Sequence, residues 1–149
     1  MHTSTTIRRG LLLTLLMLVF AGSAVAQRTV TLTLNAASIP DTIKTDSFFE
    51  VRGAVDTDGD GSFESPHTFT DGNVIDWNDS STLEPVNIGG DYWQVQFQMA
   101  TDVDLQFKFF SQQAEDADGF NGWEADPNPI IEAGSDDIVM PVHFFEEQG

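Results

Sequence analysis

The sequence predicts an all-β fold: an immunoglobulin-like antiparallel β-sandwich of about seven strands. Three features of the 149 residues lead to this prediction. Several segments alternate between apolar and polar residues, as strands do when one face covers a core. Gly, Asp, Asn and Pro separate these segments, and no segment has the period of an amphipathic helix. There is no cysteine, so a packed core rather than disulfide bonds must hold the sheets together.

The predicted strands follow one another at short intervals: 30–34, 48–55, 83–88, 92–99, 103–110, 130–132 and 138–145. Trp93 lies on the apolar face of its strand and is predicted to be a core residue. The short connector 100–102 predicts that the strands on either side of it form a hairpin. Gly53 predicts a bulge or a close approach of another backbone, and Pro141 places the last strand at a sheet edge.

The N-terminus has the three parts of a secretory signal peptide. Arg8 and Arg9 precede the apolar run 11–20, and small residues follow up to Ala26. We therefore predict a signal peptide at 1–26 and a single β-sandwich domain at 27–149. The predicted location is secreted, either extracellular or periplasmic, with no membrane association after cleavage. The alternative is an uncleaved anchor, although the apolar run is short for a transmembrane helix.

The charge is strongly negative, with 24 acidic and 6 basic residues and a net charge of −18. Without Arg8 and Arg9, four basic residues stand against 24 acidic ones, which makes the charge of the mature chain −20. Nucleic acids and anionic membranes bind clustered Lys and Arg, so the composition argues against both as partners. The acidic residues fit either cation binding or a solvated surface suited to high salt.

One acidic segment has the spacing of a cation-binding loop. Asp56, Asp58 and Asp60 alternate along the chain around Gly59, and Glu64 follows. The first half of an EF-hand-type calcium loop has a similar pattern, because a sharp turn at a glycine directs carboxylate oxygens inward. Two interpretations are open: a calcium site formed by these four carboxylates, or a solvated acidic turn. The sequence requires no cofactor, and calcium is the one that it suggests.

Two of the three tryptophans lie among turn-forming residues rather than in predicted strands. Trp77 belongs to an irregular stretch, and Trp123 lies in the segment 120–129 with Gly, Asn, two acids and two prolines. A large aromatic side chain on a polar loop suits stacking against the apolar C–H face of a sugar ring. The alternative for Trp123 is that it covers the end of the core, since tryptophan is mostly buried on average.

The order of motifs from Tyr92 onward resembles the starch-binding modules of carbohydrate-binding family 20. In that family an aromatic strand is followed by a strand of the type E-Y-K-F and then by the run W-E-x-D-P-N. Here the corresponding segments are 92–95, 105–109 and 123–128, and an earlier strand of the type V-x-G corresponds to 51–53. The resemblance extends over 48–145 and is clearest over 92–145.

The resemblance implies a β-sandwich that binds a helical α-glucan on two exposed tryptophans. Trp123 would be one stacking platform, and Trp77 would be the second. Lys108, Glu124 and Asn128 would form hydrogen bonds with sugar hydroxyls. For Lys108, the alternatives are a solvated lysine and an ion pair with a nearby acid.

Together these observations predict a secreted, non-catalytic module that binds a starch-like polysaccharide. The alternative is a secreted acidic β-sandwich, stabilised by calcium, with a structural or protein-interaction role. An enzyme is not expected, because no catalytic motif is present and no pair of acids stands out as glycoside hydrolysis would require. His143 is expected to be a packed or edge residue rather than a ligand.

Overall fold

The computed structural model describes residues 25–44, 49–117 and 121–145. Its strands are β1 (Gln27–Asn35), β2 (Glu50–Asp56), β3 (His67–Thr68), β4 (Val74–Ile75), β5 (Val86–Gly89), β6 (Tyr92–Ala100), β7 (Asp104–Phe110), β8 (Ile130–Ile131), β9 (Ile138–Val139) and β10 (His143–Phe144). One short helix, α1 (Gln112–Glu115), follows β7. Most of the predicted signal peptide lies outside the described residues, which include only its last two positions. Within the described ranges, no helix is long and apolar enough to cross a membrane.

The strands form two main sheets and a small ribbon. Sheet A has the order β10-β1-β6-β5, and β9 also pairs with β1. Sheet B has the order β2-β7-β8, while β3 and β4 form the ribbon. All pairs are antiparallel except that β9 and β10 run parallel to β1. The predicted all-β sandwich is confirmed, with more and shorter strands at its edges than the sequence predicted.

The core lies between the apolar faces of the two sheets. Its members from sheet A include Val30, Leu32, Leu34, Trp93, Phe97 and Met99, and those from sheet B include Val51, Val55, Leu105, Phe107 and Phe109. Each of these side chains is at most 3% exposed, which confirms the predicted core position of Trp93. Complete burial of an aliphatic or aromatic side chain contributes about 1.5–3 kcal/mol, so this layer is the main source of stability.

The predicted hairpin of residues 92–110 is wrong. β6 pairs with β1 and β5, whereas β7 pairs with β2 and β8, so the connector 100–102 crosses from one sheet to the other. Both strands have one apolar face. Because they lie in opposite sheets, the two apolar faces point into the same core from opposite sides.

The last predicted strand, 138–145, is divided into two. β9 and β10 both lie beside β1 at the edge of sheet A, and Pro141 lies between them. Proline has no backbone N–H to donate to a neighbouring strand, so pairing is interrupted at this position. The predicted edge position is confirmed, whereas a continuous strand is not. The predicted strand 83–88 is also shorter, since pairing begins only at Val86.

Gly53 marks a close approach of two strands rather than a bulge. It pairs with Phe107 in an uninterrupted register between β2 and β7. A Cβ atom at Gly53 would overlap the carbonyl oxygen of Gln106. Only glycine therefore fits at this point of sheet B.

The outer face of sheet A carries a row of uncharged polar side chains. The pairing of β1 with β6 places each threonine of β1 opposite a glutamine of β6. The glutamine amide donates to the threonine hydroxyl in three pairs, Gln94 to Thr33, Gln96 to Thr31 and Gln98 to Thr29. The nitrogen–oxygen distances are 2.9 to 3.1 Å, and we call this row the Gln–Thr ladder.

Candidate functional site

The candidate site lies on the outer face of sheet B. In β2 and β7, side chains that point to the core alternate with Glu50, Arg52, Lys108 and Phe110. Arg52 is directly opposite Lys108 in the strand pairing, and Glu50 is opposite Phe110. Residues directly opposite each other share a face of the sheet. Two of the six basic residues of the chain therefore stand side by side on this face.

Trp123 reaches this face from the β8 side of β7. Glu124 donates its backbone N–H to the carbonyl oxygen of Phe109 at 3.0 Å, and Trp123 forms a bridge with Phe110. The chain around Trp123 thus continues sheet B for a few residues. Gly122, just before it, has a φ of 76°, in the left-handed region that glycine adopts without strain. The segment 120–129, whose composition predicts turns, therefore contains a short extended part.

Trp77 reaches the same face from the opposite edge of sheet B. The carbonyl oxygen of Asp76 accepts the backbone N–H of Gly53 at 3.0 Å, so the chain runs beside β2 just before Trp77. The Asp76 carboxylate then accepts hydrogen bonds from the Ser80 hydroxyl and from the Asn78 amide at 3.4 Å. The bond from Ser80 contributes most to holding the pKa of Asp76 below its ordinary value. These contacts fix the turn that presents Trp77.

Trp77 and Trp123, the two predicted stacking platforms, lie next to each other. Their ring centroids are 6.2 Å apart, and the ring planes meet at 51°. Both residues are half-buried, so part of each side chain remains accessible. We call these two residues the tryptophan pair. Two rings at this angle form a bent aromatic surface.

Arg52 packs in the angle between Phe110 and Trp123. Its guanidinium carbon is 3.7 Å from the centroid of the Phe110 ring and 5.8 Å from that of Trp123. Both distances are within the range of cation–π interactions. Nε of Arg52 donates to the Glu50 carboxylate at 2.8 Å, and the arginine side chain is only 9% exposed. The sequence did not predict Arg52 as a site residue. The available signal was a basic residue between apolar neighbours in a chain with few basic residues.

Lys108 forms an ion pair with Asp126 at the border of this face. The lysine side chain is 10% exposed, whereas that of Asp126 is 77% exposed. This contact corresponds to the ion-pair alternative for Lys108. A lysine ammonium has three N–H donors, so a second acceptor such as a sugar hydroxyl can still bind to it.

Glu124 points away from the tryptophan pair, into the space between the sheets. One carboxylate oxygen is 2.7 Å from Nδ1 of His143, and the other accepts the backbone N–H of Phe109 at 3.2 Å. The His143 ring also packs against Phe107 and Phe109, with centroid distances of 5.3 and 5.7 Å. The predicted packed position of His143 is confirmed. Glu124 therefore links the Trp123 segment to β10, and it lies apart from the other predicted sugar-binding residues.

Asn128 follows the cis peptide bond between Asp126 and Pro127 and is half-buried. Its side-chain amide has no hydrogen-bond partner among residues 25–44, 49–117 and 121–145. The amide can therefore donate to and accept from a ligand. Of the five predicted sugar-binding residues, Trp77, Trp123 and Lys108 share the outer face of sheet B.

The predicted calcium loop brings three of its four carboxylates together. Asp56, Asp58 and Asp60 each have a carboxylate oxygen within 4.8 Å of those of the other two. Glu64 forms backbone hydrogen bonds in both directions with Val55, at 2.8 and 3.0 Å, and does not belong to this group. The three aspartates are thus the ones that could hold a cation.

The same loop is also stabilised by its own backbone. The Asp56 carboxylate accepts backbone N–H groups of Gly61 at 2.8 Å, Gly59 at 2.7 Å and Asp58 at 3.2 Å. These hydrogen bonds, that of Gly61 most of all, lower the pKa of Asp56. A carboxylate has about four lone-pair sites, so Asp56 can accept these bonds and still offer an oxygen to a cation. Three carboxylates fit Ca²⁺, which takes about 6–8 oxygen ligands including waters and backbone carbonyls.

Comparison with known proteins adds no family to these observations. No protein-family model matches the chain, and a search of curated proteins found no match. The resemblance to carbohydrate-binding family 20 therefore stays a prediction from the motifs, and the geometry of the site is the basis for a functional proposal.

Proposed function

We propose that the chain is a secreted, non-catalytic module that binds a starch-like α-glucan on the tryptophan pair. The observation that carries this proposal is the meeting of Trp77 and Trp123, from two separate loops, with ring centroids 6.2 Å apart on one face. Core packing does not require two loops to bring their tryptophans together outside a sheet. An aromatic pair of this kind offers a large rigid contact area at a low cost in conformational entropy.

The angle between the rings supports a curved glycan. A chain with flat, extended geometry, such as cellulose, stacks best on coplanar rings. The planes of Trp77 and Trp123 differ by 51°, which matches successive sugar rings that turn relative to one another. Helical α-glucans have that geometry, so we propose them rather than cellulose or chitin as the ligand.

The charges of the molecule favour a neutral ligand. With a net charge of −18, the surface repels polyanions at low ionic strength. Lys108 and Asn128 are the polar groups that we propose to bind hydroxyls beside the aromatic surface. Glu124 contributes indirectly by holding the Trp123 segment, since both of its carboxylate oxygens have protein partners.

The test is retention of the purified domain on insoluble starch, cellulose and chitin. Wild-type protein is compared with Trp77→Ala, Trp123→Ala and the control Phe144→Ala. Phe144 is an aromatic residue of sheet A that is 56% exposed, so its loss removes a surface aromatic elsewhere. Thermal unfolding followed by circular dichroism verifies that each variant is folded.

We expect starch-selective retention by wild type and by the control. Each tryptophan variant should lose about 2 kcal/mol of binding free energy, or roughly 30-fold in affinity, as truncation of a central aromatic contact does. Folded wild-type protein that is retained on no polysaccharide would exclude the proposal. Undiminished retention of both tryptophan variants would exclude the site.

A second candidate function rests on the acidic loop. The convergence of Asp56, Asp58 and Asp60 within 4.8 Å favours an acidic module that calcium stabilises and that has a structural or interaction role. Failure to bind any glycan, combined with a higher melting temperature in calcium, would support this candidate over the first.

A further inference from the structure

We infer that Arg52 is a positioning residue that sets the angle of the tryptophan pair and, through it, the preference for curved over flat glycans. The inference rests on the proposed function as far as the glycan is concerned. Its geometric part, that Arg52 fixes Trp123 relative to Trp77, rests on the contacts of Arg52 with Phe110 and Trp123 and on the contact between Trp123 and Trp77.

Arg52 lies over the face of the Phe110 ring, beside the contact between Phe110 and Trp123. The Phe110 and Trp123 rings have centroids 4.5 Å apart and planes at 50°. The guanidinium lies against the Phe110 ring at 3.7 Å and reaches to 5.8 Å from the centroid of Trp123. Without it, the open side of this angle would be a void, and surrounding side chains relax into such voids at least in part. Trp123 is the movable member, because Phe110 is only 1% exposed in sheet B whereas Trp123 is half-buried.

Arg52 has charged neighbours of both signs on the outer face of sheet B. Lys108 lies directly opposite it, and like charges in that position destabilise a strand pair. Each cation has its own acid, Glu50 for Arg52 and Asp126 for Lys108. A planar guanidinium can stack on Phe110 while donating to Glu50, and a lysine ammonium cannot stack in this way. Arginine is therefore required by the geometry, beyond its charge.

The experiment uses Arg52→Lys and Arg52→Met, with Lys44→Met as the matched control. Lys44 is also an ion-paired cation, bound to Asp91 at 2.6 Å and Asp41 at 2.9 Å, and its removal changes the net charge by the same amount as Arg52→Met. The first readout is the exciton-coupled circular dichroism band of the tryptophan pair, measured without glycan. Loss of this band in the Trp77→Phe variant verifies that the band arises from the tryptophan pair. The second readout is the affinity for maltoheptaose and for a cello-oligosaccharide by calorimetry.

We expect both Arg52 variants to change the exciton band and to bind maltoheptaose about 3- to 30-fold more weakly, the range that a cation–π contact accounts for. Their ratio of maltoheptaose to cello-oligosaccharide affinity should fall as well, while Lys44→Met keeps the wild-type band and affinity. Folded Arg52→Lys protein with the wild-type band and affinity would overturn the inference, and this variant decides if Arg52→Met does not fold. If the wild-type protein binds no glycan, the proposed function fails and the exciton band alone decides whether Arg52 positions Trp123.

Discussion

Replacement of Gly53 by alanine is expected to destabilise the domain strongly, because β2 and β7 approach each other too closely there for a side chain. A Cβ at Gly53 would overlap the carbonyl oxygen of Gln106. It would also lie 3.0 Å from Cα of Phe107 and 3.0 Å from Cδ1 of Ile75. Two of these three atoms belong to the backbone of a central strand, so they cannot rotate away as the end of a flexible side chain can.

The magnitude follows from two opposing effects. Added volume in a tightly packed interior costs about 1–3 kcal/mol, and the upper end applies where backbone atoms must move. Alanine also restricts the unfolded chain, which offsets about 0.4–1 kcal/mol of that loss. The expected net loss is about 2 kcal/mol of unfolding free energy. For a domain of this size, that loss corresponds to a melting temperature lower by roughly 8 °C.

Thermal and urea unfolding followed by circular dichroism measure the effect, with Gly134→Ala as the control. A Cβ at Gly134 would meet only the side chain of Arg28, with Nη1 at 3.0 Å, and that group can shift. The control should therefore remain within about 0.5 kcal/mol of wild type. If Gly53→Ala unfolded at the wild-type temperature, the close packing of β2 against β7 described here would be refuted.

Three further predictions concern ionisable groups. Calcium should raise the unfolding free energy of the wild-type protein by up to about 2.7 kcal/mol at a hundredfold excess over Kd. It should not raise the unfolding free energy of an Asp58→Asn/Asp60→Asn variant. Equal shifts in melting temperature for the two proteins, measured by scanning fluorimetry, would argue against the site. Glu124→Leu should lose about 2 kcal/mol in urea unfolding, because the contact with His143 and one buried backbone N–H lose their partner. Glu124→Gln, which keeps an acceptor, should lose less, and equal losses would contradict these contacts. Hydrogen bonds from backbone N–H groups lower the pKa of Asp56 in the folded protein below its ordinary value of 3.8. The ionised Asp56 carboxylate therefore stabilises the fold at pH values above 3.8, and this stabilisation is lost as the pH falls through the folded pKa. Asp56→Asn should therefore show a weaker dependence of stability on pH below about pH 4, and superimposable acid-unfolding curves would disprove this.

Alternation along the sequence is sufficient to predict which side of a strand is buried, but not which strand lies beside it. The buried face of β6, including Trp93, follows from the two-residue period of its side chains. The connector 100–102 fits a hairpin and a crossing between sheets equally well. The choice depends on the pairing of β6 with β1, a strand far away in sequence that offers nine partners.

Sequence reasoning predicted the site only in part, for the same reason. The resemblance to carbohydrate-binding family 20 implied Trp77 and Trp123 as partners, and they are neighbours in the structure. It also placed Glu124 with them, although consecutive residues of an extended segment point to opposite sides. The composition of 120–129 indicates turns and gives no sign that its middle continues sheet B. Arg52 could not be predicted either, because its contact with Phe110 exists only once β2 and β7 have paired.

The Gln–Thr ladder joins strands whose paired residues are 61 to 69 positions apart in the chain. The chain between β1 and β6 must give up conformational entropy to close this long loop before any bond of the ladder can form. Topologies dominated by such distant contacts fold in roughly milliseconds to seconds rather than in microseconds. Stopped-flow refolding measures this, and a microsecond phase that accounts for the whole amplitude would contradict it. All three side-chain bonds are satisfied together in the observed register, and a shift of β1 along β6 would break the match at the ends of the row. Strand β1 can therefore pair only after β6 has been brought next to it, and the Gln–Thr ladder then stabilises the observed register over shifted ones.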